Sequence, residues 1–245
     1  MKSSHAPIQA SWGLLATFTL MTFALAWGVL GMYIFFNTWA TDTFGALSGQ
    51  HPLFYLAVWA PAISALILIV WLRGWGAVWL YLTKLARWRV SKAWLLMVIL
   101  VIPAVFYLGY ALKTGGMDLD WPFGSFGLLL LILVLAAIKG PIEELGWRGF
   151  ALPLLQQWMS PLAAAVLIGL VWGFWHLPAF LISGTEQSAW SFMPFFLGAM
   201  CISILITLLY NATAGSLLWP AVLHFQLMIR FGRMLNLMIV MCCCW

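Results

Sequence analysis

The sequence predicts an all-α polytopic membrane protein, and three observations carry that prediction. The 245 residues are 65% hydrophobic and only 7% charged, with a mean hydropathy of +1.04, whereas a soluble domain carries roughly a quarter charged residues. A water-exposed surface cannot be clothed with what is left. Apolar runs recur at 12–37, 53–72, 93–112, 124–139, 161–182, 192–210 and 214–229, most near the ~20 residues that a helix needs to cross hydrocarbon. Finally, Arg73, Lys84, Arg87, Arg89 and Lys92 all fall between two of these runs, as cytoplasmic loops of membrane proteins do.

Each element follows in order. The run 12–37 comes after "MKSSHAPIQAS", which is too polar for a cleaved signal, and it is too long for a signal core, so it stays as the first span. The basic segment 73–92, interleaved with Trp and Leu, fits an interfacial amphipathic stretch. Placing it in the cytoplasm puts the N-terminus with Lys2 there too. The loops 38–52 and 113–123, with Asp42, Asp118 and Asp120, then lie outside. The net charge of +5 is thereby a topology signal. Nucleic-acid binding would need a basic groove on a folded face, and none is visible. Gly140-Pro141 follow the fourth run and Ser160-Pro161 open the fifth. Proline fits the first turn of a helix, so 140–160 reads as a helix entered after a break. Cys201 lies in an apolar run and Cys242, Cys243 and Cys244 crowd the terminus, with no disulfide or thiolate-metal spacing. No internal repeat is evident, and 1–245 reads as a single membrane domain.

The chemistry concentrates in "KGPIEELGWRGF", residues 139–150, which places two of the six carboxylates of the chain side by side after an uncharged run. Ionisable groups within a membrane are costly and are functional candidates by default. On a helix Glu144 and Arg148 are four apart and face each other, while Glu143 is turned about 100° away and is free to meet a different environment. His5 and His51 lie in polar segments, but His176 in "LVWGFWHLPAF" and His224 in "LLWPAVLHFQLM" are embedded in apolar sequence. One glutamate with two histidines can position a water, take its proton and stabilise an oxyanion. The same set can bind zinc with an open position for water. Pro178 and Pro220 should kink the helices of both histidines, which membranes tolerate where the backbone lines protein or a hydrated cavity. Trp172, Trp175 and Trp219 would wall that cavity.

These segments resemble a known family. "EELGWR" is similar to the EExxxR motif of the CPBP intramembrane proteases, the group of type II CAAX prenyl endopeptidases and bacteriocin-immunity (Abi) proteins; "WGFWH" and "LLWPAVLHFQ" resemble its two histidine motifs, in the same order, over about residues 120–228. The resemblance implies a bundle of about 7–8 transmembrane helices enclosing a conical cavity open to the cytoplasm. It also implies a glutamate-dependent peptidase acting on a membrane-associated peptide or protein in the lipid bilayer. Glu143 corresponds to the glutamate that activates water. Glu144 and Arg148 complete the first motif. His176 and His224 correspond to the histidines that stabilise the oxyanion or, in another view, join Glu143 in holding a divalent metal such as zinc. We expect an integral protein of the bacterial plasma membrane, where no general prenylation pathway supplies a substrate.

One position departs from the family. Four residues after the last histidine, where the family has Asn or Asp, stands Met228. Codons permitted for "IRFGRMLNLMI", read with one base restored in front, give "NPIWPDAQPYD", a polar loop that opens on asparagine. We therefore read 229–245 as a frameshifted tail, and the altered C-terminus puts the activity of this copy in question. The competing readings are a non-catalytic immunity or scaffold protein that binds a partner through the same cavity, and, lower, a transporter. Transporters show repeated halves.

Overall fold

A computed structural model describes residues 8–116 and 126–228. His5, Asp118, Asp120, the three terminal cysteines and the tail 229–245 lie outside the described residues. Those described fold into helices with no strand among them: α1 (Trp12–Phe35), α2 (Asn37–Phe44), α3 (Pro52–Val58), α4 (Ala60–Arg73), α5 (Trp75–Leu82), α6 (Lys92–Leu96), α7 (Ile102–Thr114), α8 (Phe126–Ile138), α9 (Glu143–Gly146), α10 (Leu152–Leu155), α11 (Pro161–Trp175), α12 (Phe192–Ala212) and α13 (Leu218–Met228).

Among the described residues three segments are long and apolar enough to cross a membrane: Trp12–Phe35, Pro161–Leu181 and Phe192–Ala212. A fourth is added if α3 and α4 count as one span bent by 58°. The other apolar runs are shorter or interrupted, and the interruptions have local causes. Run 53–72 breaks at Trp59 and resumes with Pro61 in the first turn of α4. Run 93–112 is helical throughout, but a π-helical turn, Met97–Val101, precedes Pro103. Pro lacks the N–H that would bond the preceding turn, and a wider turn is one way to absorb that. The run that ends at Lys139 stops because Lys139 leaves helical geometry before Pro141, so α8 cannot continue into α9. The Trp59 indole N–H donates to the Ile138 carbonyl at that end, 2.7 Å away.

Helix starts follow their sequence signals. Ser11 accepts from Leu14 N–H at the start of α1, and Ser160 accepts from Ala163 N–H ahead of Pro161, each satisfying a donor that a helix N-terminus leaves open. Helices α11 and α12 pack along their lengths through small residues, as membrane helices do where backbones must approach. A Cβ on Gly169 would stand 2.8 Å from Met200 Cα, and one on Gly173 2.8 Å from Phe196 Cδ2. The Ser203 hydroxyl donates across the same seam to the Ala165 carbonyl, 2.8 Å away. A large apolar core joins α1, α3 and α4 to α9–α11. A smaller one, built from Val98, Ile102, Ile206, Leu209, Leu223 and Leu227, joins the 92–114 helix to α12 and α13. The α9 and α13 helices thus reach the same cavity from different cores.

Candidate active site

The acidic pair is set by the break before it. After Lys139 the chain makes a 3-10 turn, Gly140–Ile142, then enters α9 at Glu143. Both glutamates are buried, and Arg148 is fully so. Arg148 Nη1 donates to Glu144 Oε1 at 3.2 Å, the i,i+4 pair read from the sequence. The same oxygen accepts from His224 Nδ1 at 2.7 Å. Glu143 is turned to the other side, where its Oε2 accepts from the Trp172 indole N–H at 2.7 Å. His176 Nδ1 donates to the Trp172 carbonyl at 2.8 Å, since a carbonyl can only accept.

Trp172 is therefore the hub. Its indole N–H holds Glu143 and its carbonyl holds His176. Its ring meets His176 and His224 edge-on at 5.4 and 5.5 Å, and the Arg148 guanidinium lies 5.2 Å from its ring centroid. With Nδ1 of each histidine committed, each imidazole has Nε2 left for other chemistry. Neutral His176 carries a lone pair on Nε2. His224 Nδ1 is held by Glu144, which leaves Nε2 as its second ring nitrogen.

Glu143, His176 and His224 line one cavity of about 450 Å³. Its apolar wall includes Phe54, Leu135, Trp175 and Phe195, and Gln50, Lys139, Glu186 and Gln187 add polar groups. Glu144 and Arg148 stand behind this wall. The packing against His224 is tight, because a Cβ on Gly140 would lie 2.7 Å from His224 Nε2 and 2.7 Å from Met228 Cγ. Met228, four residues after His224, lines the cavity. Trp172 and Trp175 line it too. Trp219 does not: its indole N–H donates to the Trp88 carbonyl at 3.1 Å. Among the described residues no three His, Cys, Asp or Glu side chains are grouped so as to hold a metal ion. One oxygen of Glu143 and Nδ1 of both histidines are engaged by protein partners, contacts of the kind that orient a ligating side chain from behind while its other atom stays available.

Three features escaped the sequence. One is the His224–Glu144 contact, which joins segments 80 residues apart. Another is the role of Trp172 beyond walling the cavity. The third is Tyr81, whose hydroxyl donates to the Leu145 carbonyl within α9.

Comparison with known proteins bears on this cluster. Residues 125–228 match the Rce1-like type II CAAX prenyl endopeptidase family. The match spans α8 to α13 and so contains Glu143, Glu144, Arg148, Trp172, His176 and His224. The chain is also similar to CAAX prenyl protease 2 of Methanococcus maripaludis, 31% identical over 140 residues that cover 52% of each protein. The chain thus spans about half the length of this curated relative. The family agrees with a protein that lives in a membrane, as the long apolar helices indicate.

Proposed function

We propose that this protein is an intramembrane endopeptidase that hydrolyses a peptide bond in a membrane-associated protein or peptide. The cavity would open to the cytoplasm, and the shorter helices would complete a bundle of about 7–8 spans. The observation that carries the reading is the division of labour within the acidic pair: Glu143 faces the cavity while Glu144 is spent on Arg148 and His224. Glu143 takes a proton from a water held between its carboxylate and His176 Nε2. The resulting hydroxide adds to the scissile carbonyl carbon. His224, oriented by Glu144, donates to the oxyanion from Nε2 in its doubly protonated form. The intermediate collapses with cleavage of the C–N bond, and the proton on Glu143 passes to the leaving amine. General-base catalysis of this kind contributes about 10²–10⁴ in rate, and one oxyanion donor about 10²–10³.

The name of the archaeal relative supports a substrate bearing a prenylated CAAX-type terminus, and the apolar wall of the cavity suits a lipid-modified chain. Glu143→Gln tests the reading. The amide oxygen still accepts from Trp172, so the thermal midpoint in detergent should hold while cleavage of a membrane peptide falls about 10²–10⁴-fold. Unchanged turnover would overturn the assignment. A second reading, a non-catalytic binding protein using the same cavity, is favoured by Met228 standing at the spacing where an amide donor is expected. It predicts that Glu143→Gln retains partner binding and that the wild-type chain cleaves nothing.

A further inference from the structure

Helix α5 and the residues after it form a strap that braces the site from behind at two points. Tyr81 reaches the Leu145 carbonyl in the helix of the acidic pair. Farther along, four hydrogen bonds fasten the strap to the residues that lead into α13, the helix of His224, and to its first turn. Leu217 N–H donates to the Lys84 carbonyl at 3.1 Å and the Arg87 guanidinium to the Ala214 carbonyl at 3.0 Å. The Ser216 hydroxyl donates to the Arg87 carbonyl at 2.6 Å and the Trp219 indole to the Trp88 carbonyl at 3.1 Å.

The outer side of the strap has a different composition. Ala77 and Tyr81 are the buried positions of α5, whereas Trp75, Trp79 and Trp88 are 78%, 76% and 71% exposed. Arg89 and Lys92 are exposed beside them, and 71–93 contains no acidic residue. Lys84 belongs to the inner side, with its ammonium 5.2 Å from the Tyr81 ring centroid. Amphipathic aromatics sit at headgroup level, and a basic cluster next to them complements an anionic leaflet.

We propose that Trp75, Trp79, Trp88, Arg89 and Lys92 dock on anionic lipid headgroups, and that this docking steadies the strap and, through its four bonds, the entrance to the His224 helix. The proposal stands on the strap and does not depend on the peptidase reading. Amide hydrogen exchange over 214–220 tests it, with the full chain in nanodiscs of phosphatidylcholine alone or mixed with phosphatidylglycerol. Exchange should be slower in the mixed discs. Raising the salt should erase that gain, because headgroup attraction is screened within about a nanometre. Arg89→Gln and Lys92→Gln should each reduce the gain about fivefold, with the thermal midpoint in detergent unchanged. Equal exchange in the two discs, or a gain indifferent to salt, overturns the proposal. So does the same slowing by soluble glycerol phosphate in phosphatidylcholine discs, or a strap covered instead by a protein partner.

Discussion

Arg148 and Arg89 carry the same guanidinium and meet opposite fates. Arg148 is sealed inside the bundle, bonded to Glu144 and lying over Trp172. Arg89 stands exposed on the strap beside Trp88. The tryptophans divide likewise: Trp172 is buried with its N–H committed to Glu143, whereas Trp79 is 76% exposed. The difference teaches that in this chain pairing, not residue type, decides where a charge can reside. A buried charge survives where a counter-charge and donors meet it, and removing one partner strands the other in a medium of low dielectric. A charge on the strap has water and headgroups to fall back on.

The comparison can be broken or sharpened by substitution. The largest stability effect should come from Glu144→Ala, which strands Arg148 and releases His224. We expect a loss of about 3–5 kcal/mol in reversible unfolding in detergent, and a loss near zero would mean that the buried pair is not load-sharing. Gly140→Ala comes next. Its methyl must push His224 or Met228 aside, an overpacking cost of about 1–3 kcal/mol, and it should depress turnover as strongly as it depresses stability. Tyr81→Phe removes one donor from the Leu145 carbonyl and should cost about 1 kcal/mol, read from the shift in unfolding midpoint. The smallest effect belongs to the strap surface: Arg89→Ala in detergent should stay within about 0.5 kcal/mol of the parent. A large value there would erase the distinction between the two regions.

Much of the site was legible because it rests on local rules. The i,i+4 spacing set Glu144 against Arg148, and the 100° step turned Glu143 elsewhere. Gly140-Pro141 announced the break before α9. What was illegible depends on how distant helices cross. Nothing near His224 says that its Nδ1 will share Glu144 with Arg148. Trp219 was expected on the cavity wall because it is close to His224 in sequence. Five residues along a helix is a rotation of about 140°, and it therefore faces Trp88. The bend within 53–72 was missed although Pro61 was in view, because proline in the first turn of α4 is compatible with helix and only the geometry at Trp59 shows that a new helix has begun. Tyr81 gave no signal at all, since its polar tip is hidden in a basic, tryptophan-rich segment read as surface.

The helix of the acidic pair is not regular: Trp147–Ala151 forms a π-helical turn before Pro153. Such a turn houses one residue more than an α-turn, so it takes up an extra residue between the stretch that presents Glu143 to the hollow and the stretch that plugs Leu152, Leu154 and Leu155 into the core. At Gly149 even a Cβ would collide with the Tyr81 hydroxyl. Excising Gly149 would let the helix close up as ordinary α with its two ends nearly in phase, and the change would fall on the seat of Tyr81.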